Sequence, residues 1–245
     1  MADRLLELES ISYGYRGGKA VLRDVSFTLR ENRRVAVIGP NGSGKTTLFH
    51  VIMGLIKPHG GILRVFGRPI KGEKDFFFVR RQVGYLFQNS DDQLFCPTVL
   101  EDVAFGPLNL GKSPEEARRV VRETLTLLGI SGFEDRIGYR LSHGEKKLVA
   151  LATVLAMNPR VLILDEPTAG LDRDTTERIA IILNGLNLPS IIASHDLDFL
   201  ARVTDETRVL RDGHLVPAAE HTIHAHYHVH RAGGHPHYHS HLDED

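Results

Sequence analysis

Apolar and polar positions alternate through LLELESISY (5–13) and again through VSFTLRENRRVAVIG (25–39). A period of two marks half-buried strands. The second stretch breaks at Glu31-Asn32, a turn signal, so it predicts two strands rather than one. GILRVFG (61–67) and VGYLFQ (83–88) continue the strand character. From about 89 to 158 the spacing becomes helical. Ser113-Pro114-Glu115-Glu116 reads as a capping box with proline at the first helical position. Ala117, Val120, Val121, Leu125 and Leu128 follow it at helical intervals. Two continuous apolar runs then appear, in VLILDEP (161–167) and SIIASHD (190–196), with a helix expected over 173–186 between them. Unbroken apolar strands belong to a sheet covered on both faces. TRVLRDGHLV (207–216) predicts a hairpin turning at Asp212-Gly213. Together these elements predict an α/β fold with a mostly parallel core sheet and an inserted helical lobe at 89–158. The ordered domain is expected over 1–216, followed by a histidine-rich tail at 217–245.

Composition narrows the class. Hydrophobic content of 42% and charged content of 25% suit a globular protein with ample core. The net charge of −1 argues against a nucleic-acid partner. Cys96 is the sole cysteine, which excludes an intrachain disulfide and fits a reducing cytosol. The first ten residues carry four charges at Asp3, Arg4, Glu7 and Glu9 and lack the apolar core of a signal peptide. The longest apolar run, LVALATVLAM (148–157), is too short to span a bilayer. Work at a membrane therefore requires spanning helices from another chain.

The chemistry begins at GPNGSGKT (39–46), a G-x-x-x-x-G-K-[ST] loop between a predicted strand and helix. Backbone N–H groups of such a loop and of the helix N-terminus point at phosphates. Gly42 and Gly44 permit turns that a Cβ would hinder. Lys45 is expected to reach the β- and γ-phosphates and Thr46 to ligate Mg²⁺, with Asn41, Ser43 and Thr47 completing the nucleotide contacts. Asp165 ends a buried strand, where an open α/β sheet binds ligands, and is the natural partner for Mg²⁺. Glu166, next in the chain, is placed to polarise an attacking water.

Six motifs now stand in order: GPNGSGKT, Gln88 after a strand, LSHGE (141–145), VLILDEP, AGLD (169–172) and His195 in ASHD. Over residues 5–216 the chain resembles an ABC-transporter ATPase. The resemblance implies a P-loop NTPase fold with an N-terminal antiparallel β subdomain, ATP and Mg²⁺ as ligands, and hydrolysis of ATP. It implies that Tyr15, or alternatively Tyr13, stacks on adenine. It assigns Glu166 as the catalytic carboxylate, His195 to the γ-phosphate and Gln88 to Mg²⁺ or the attacking water. Ser142 and Gly144 would close over nucleotide held by a second ATPase chain, with Asp172 crossing the interface, so a head-to-tail dimer is expected. The sequence departs from the usual Leu-Ser-Gly-Gly-Gln signature: His143 replaces a glycine, Glu145 a glutamine, and Leu148 stands where arginine is more common. His143 either points away from phosphate while its backbone acts, or senses pH.

NSDDQLFCPTVLEDVAFGPLNLG (89–111) resembles the ATPase subunits of energy-coupling-factor transporters, in particular cobalt and nickel importers of the CbiO and NikO type. That likeness implies transmembrane coupling and substrate-binding membrane subunits as partners, at the cytoplasmic face of the cell membrane. Leu94, Phe95, Val99, Val103 and Phe105 are expected to line the groove for a coupling helix, or to pack the lobe itself. Soluble ABC ATPases acting on DNA or ribosomes are the competing class. They carry coiled-coil insertions or two ATPase domains, and neither is visible in this sequence.

The tail carries His224, His226, His228, His230, His235, His237, His239 and His241. Neutral imidazoles suit Ni²⁺, Co²⁺, Zn²⁺ and Cu²⁺. Alternation places neighbours on one face of an extended strand. Little apolar surface accompanies them, so the tract is expected to lack order without metal.

Overall fold

A computed structural model describes residues 4–218. The tail histidines proposed as metal ligands lie outside the described residues. The chain opens with β1 (Arg4–Gly14) and β2 (Ala20–Arg30), a long antiparallel pair, and then β3 (Arg34–Ile38). Helix α1 (Lys45–Met53) follows, then β4 (Gly60–Val65), β5 (Arg68–Ile70), α2 (Glu73–Gln82) and β6 (Val83–Leu86). The lobe supplies α3 (Val99–Asn109), α4 (Pro114–Leu127) and α5 (His143–Leu155). The remainder is β7 (Val161–Asp165), α6 (Arg173–Leu186), β8 (Ser190–Ala193), α7 (Leu197–Val203), and the hairpin β9 (Glu206–Arg211) and β10 (His214–Pro217).

These strands form two sheets. One is antiparallel in the order β2-β1-β4-β5. The other runs β10-β9-β3-β8-β7-β6, parallel throughout except at the hairpin. Alternation along a strand assigns its side chains to two cores. Leu162 and Leu164 pack with the helical lobe, whereas Val161 and Ile163 pack with α1 and the antiparallel sheet. The parallel sheet is thus the middle layer, which is why its strands read as unbroken apolar runs.

Local chemistry explains the element boundaries. Ser113 caps α4 as expected: its hydroxyl accepts from Glu116 N at 3.2 Å, and Glu116 accepts from Ser113 N at 2.8 Å. Thr98 and Glu101 repeat the device at α3. The turn at Asp212-Gly213 has both φ values positive, 51° and 85°, as a tight hairpin requires. Three elements escaped the sequence reading. Helix α2 carries Phe76-Phe77-Phe78, a run without period; β5 is three residues long; α7 is seven. Within the lobe, Val99 and Val103 are wholly buried in the core, so they do not line a surface groove. Leu94 packs against that core, while Phe95 and Phe105 are exposed.

Gln93 fastens the segment before α3, alongside Lys146, Lys147 and Asp102. Gln93 accepts from Phe87 N at 3.1 Å and donates to Ala150 O at 2.8 Å and to Thr153 Oγ1 at 2.7 Å. All three of its polar contacts bridge the loop after β6 to α5.

Candidate nucleotide-binding site

The carboxyl ends of β3, β6, β7 and β8 converge on one edge of the parallel sheet, and a cavity of about 870 Å³ opens there. β3 leads through residues 39–44 into α1, whose N-terminus has no side-chain cap. Uncapped first-turn N–H groups leave an anion site. The loop tolerates little else than glycine at two points. A Cβ on Gly39 would lie 2.3 Å from Leu210 O, and one on Gly44 (φ 107°) would lie 2.8 Å from Val21 Cγ1. Lys45 folds back over the loop and donates to Gly39 O at 2.8 Å and Pro40 O at 3.2 Å. Burial lowers its pKa, opposed by the negative charges of Glu166 and Asp165. Ser43 Oγ is buried without a hydrogen-bond partner among the described residues.

Asp165 comes off the end of β7 and accepts from Thr46 Oγ1 at 2.6 Å. A hydroxyl and a carboxylate at this separation form a hard oxygen pair of the kind Mg²⁺ takes. Burial raises the pKa of Asp165, partly offset by the Thr46 bond. Tyr85 closes the floor behind it, its own pKa raised by burial.

Glu166 occupies the left-handed region, φ 49°, which is uncommon for a residue with a Cβ. Its N–H donates to Ala193 O at 2.8 Å, pinning it to the end of β8. One carboxylate oxygen accepts from His195 N at 3.3 Å. The other, Oε1, makes no hydrogen bond although buried, and the His195 ring nitrogen Nε2 stands 3.4 Å away. Burial raises the pKa of Glu166, opposed by His195. A strained, buried carboxylate in the lining of the cavity, with one oxygen outside any hydrogen bond among the described residues, is a group poised to accept a proton.

Tyr15, Asn41, Gly42, Gly44, Lys45, Thr46, Thr47, Gln88, Asp165, Glu166 and His195 all line this one cavity. Tyr15 is 52% exposed; its hydroxyl is 3.2 Å from Thr47 Oγ1 and its ring packs edge-on against Tyr13 at 5.1 Å. Tyr13 packs instead against the core beneath the antiparallel sheet. Ser43, also expected at nucleotide, stays in the loop without lining the cavity, and three further expected residues lie elsewhere on this chain. Ser142 and Gly144 begin α5, and Asp172 caps α6 through Thr175 N at 2.8 Å; none lines the cavity.

The structure adds residues that sequence reasoning passed over. Thr168, Ala169 and Gly170 form a wall of the cavity. They sit in DEPTAGLD, so proximity to Glu166 was the available signal. Lys147 is 0% exposed and donates to Gln88 O at 2.7 Å. A lysine inside the apolar face of a helix was the clue. In the LSHGE segment, Glu145 accepts from Ser142 N at 2.8 Å and pairs with Arg136 at 2.7 Å. The glutamate at this position therefore completes a capping box.

Comparison with known proteins agrees with this geometry. The family model described as ABC transporter matches residues 22–169. The energy-coupling factor transporter ATP-binding protein EcfA of Methanothermobacter thermautotrophicus is 45% identical over 216 residues, covering 86% of this chain and 70% of that protein. Among solved structures, cbiO1 of Clostridium perfringens, part of the ABC transporter complex cbiONQ, is 36% identical with a TM-score of 0.78, covering 87% of each chain. The cassette MJ0796, a dimer bound to ADP and phosphate after hydrolysis, is 28% identical with a TM-score of 0.79, covering 86% of this chain and 96% of that one. With its phosphate loop, paired carboxylates and histidine on one cavity, this chain belongs to the ABC transporter family as an ATP-hydrolysing, ATP-binding subunit.

Proposed function

We propose that the chain powers import of cobalt or nickel ions through a membrane complex, by ATP-driven closure of a head-to-tail pair of ATPase chains. The carrying observation is the division of the site. The phosphate loop, Asp165, Glu166 and His195 share a cavity, whereas Ser142 and Gly144 do not reach it. Ser142 and Gly144 stand at the N-terminus of α5, where the Ser142–Glu145 capping box satisfies two amides and the helix dipole still favours an anion. A second copy turned head to tail would bring that end to the γ-phosphate. ATP then favours the closed pair because it binds that state best.

In hydrolysis, Tyr15 would stack on adenine and Lys45 would leave the loop carbonyls for the phosphates. Asn41, Gly42, Ser43, Gly44 and Thr47 would complete the phosphate cradle. Thr46, Asp165 and Gln88 would hold Mg²⁺, which supplies neutralising charge to the phosphate oxygens. The Glu166 carboxylate would orient a water and take its proton as the water attacks the γ-phosphorus, while the bond from that phosphorus to the β-phosphate oxygen breaks and ADP leaves with the electron pair. His195 would contact the γ-phosphate beside it, and Asp172 would cross to the partner chain.

The domain is taken as residues 1–216, with the lobe at 89–158 as its membrane-facing part. No helix among the described residues is long and apolar enough to cross a membrane. Docking on membrane subunits is supported by Phe95 and Phe105, 67% and 49% exposed, in edge contact at 5.0 Å on the lobe surface. The cobalt or nickel assignment rests on DDQLF and TVLEDVAFGP and on the cbiO1 likeness. Under this reading the eight alternating tail histidines hold the imported ion, Ni²⁺, Co²⁺ or Zn²⁺, on the cytoplasmic side.

Cells expressing the chain with its membrane subunits should accumulate Ni²⁺ or Co²⁺, and cells with Lys45→Ala should not. Accumulation of neither metal, with ATP hydrolysis intact, would overturn the metal assignment and leave the ATPase standing.

A further inference from the structure

His143 is where this chain departs most from its family's signature, and the structure gives the imidazole a partner. Its Nε2 lies 3.0 Å from Ala169 O. A carbonyl only accepts, so Nε2 carries the proton and donates. The ring fits over Gly170, where a Cβ would stand 3.2 Å from Nε2, at a backbone φ of 72° that itself favours glycine. Ala169 and Gly170 are a wall of this chain's own nucleotide cavity. Their turn begins at Glu166, whose carbonyl accepts from Ala169 N at 3.3 Å. Two residues on, Asp172 caps α6.

The same face of α5 is fastened a second time. Lys147 stands four residues after His143, one turn along and on the same side. It is wholly buried and reaches the backbone carbonyl of Gln88, which also lines the cavity. One helix therefore grips two loops that border the nucleotide cavity, at the end that carries Ser142 and Gly144.

We propose that His143 is a positioning residue that locks the Ser142–Gly144 end of α5 to the Glu166–Gly170 turn of the same chain. The half-site offered to the partner is then set by the turn that encloses this chain's own nucleotide, which couples the two sites of a dimer. A glycine at position 143 could not make this bond. The proposal rests on the reading that Ser142 and Gly144 serve the partner's nucleotide.

The test uses His143→Ala, His143→Gly and His143→Gln in the full chain and in the Glu166→Gln background. His143 is solvent-exposed, so the variants should fold, and a thermal midpoint checks this. His143→Ala and His143→Gly should lower kcat about three- to tenfold, the size of one net hydrogen bond. KM for ATP should change by less than about twofold, because phosphate binding within the chain is untouched. ATP-driven dimerisation of the Glu166→Gln protein should weaken by the same factor as kcat. His143→Gln, whose amide can donate to Ala169 O, should recover most of both. Equal kcat and equal dimerisation in wild type and His143→Ala would overturn the proposal. So would a loss that His143→Gln fails to restore. A Glu166→Gln protein that stays monomeric with ATP, whatever stands at 143, would instead overturn the dimer reading beneath it.

Discussion

Glu166 combines burial, a left-handed backbone and an unsatisfied oxygen, each unfavourable for stability on its own. That combination suits a group kept for chemistry rather than for folding. Glu166→Gln removes the ionised carboxylate and keeps its shape. It should slow hydrolysis by about 10²- to 10⁴-fold, the usual contribution of a positioned base. It should also raise the melting temperature of the nucleotide-free protein, because a buried charge is gone. A variant that hydrolyses ATP at the wild-type rate would remove Glu166 from the mechanism. Glu145 is the opposite case. The Ser142 N–H holds its carboxyl below the ordinary value of 4.5, against burial and with help from Arg136. A depressed folded pKa adds stability above the unfolded pKa, and that stability is lost as pH falls through the folded value. Glu145→Gln should therefore lower the melting temperature by about 2 °C at pH 7. The gap to wild type should close as pH drops below 4.5 and through the depressed folded value, beneath which both side chains are neutral. A gap independent of pH would mean that packing, not charge, sets the contribution.

At the scale of elements, helix α5 joins functions that the sequence presents as separate words. Its first turn lies in the LSHGE segment, exposed His143 and buried Lys147 grip the loops at Ala169 and Gln88, and its apolar run fills the lobe core. The strand–loop–helix order and the caps of α4 and the hairpin were legible because they depend on neighbours in sequence. Val99 and Val103 were not separable from Phe95 and Phe105 by spacing alone. Which way each side chain faces depends on the packing of α3 against α4 and α5. The outward pair yields a prediction. Phe95→Ser with Phe105→Ser should leave ATP hydrolysis by the isolated chain within about twofold, as for surface changes away from a site. Uptake in the assembled complex should fall more than about tenfold if these rings anchor the membrane subunit. Undiminished uptake would place the docking surface elsewhere.

For the molecule as a whole, the described residues that border the nucleotide cavity fall within 15–196. Removal of residues 219–245 should therefore leave ATP hydrolysis in metal-free buffer within about twofold. The same truncation should abolish Ni²⁺ binding measured by titration calorimetry, since no cluster of ligating side chains is present among the described residues. Equal Ni²⁺ binding and equal uptake by full-length and truncated chains would separate the tail from the transport function.

The sequence by itself determined the α/β class, the phosphate loop and the carboxylates at the end of β7. Each is carried by a short contiguous motif whose physics is local: glycines where a Cβ has no room, a lysine beside an uncapped helix, an apolar strand ending in Asp165. It also marked His143 as a departure without saying what the departure does. Only the tertiary structure decided that, by bringing Ala169 to 3.0 Å from a ring 26 residues earlier in the chain. The same folding put Lys147 beneath Gln88 and separated Ser142 and Gly144 from the cavity. Contacts across such distances follow from how layers pack, and packing is written in no single stretch of residues.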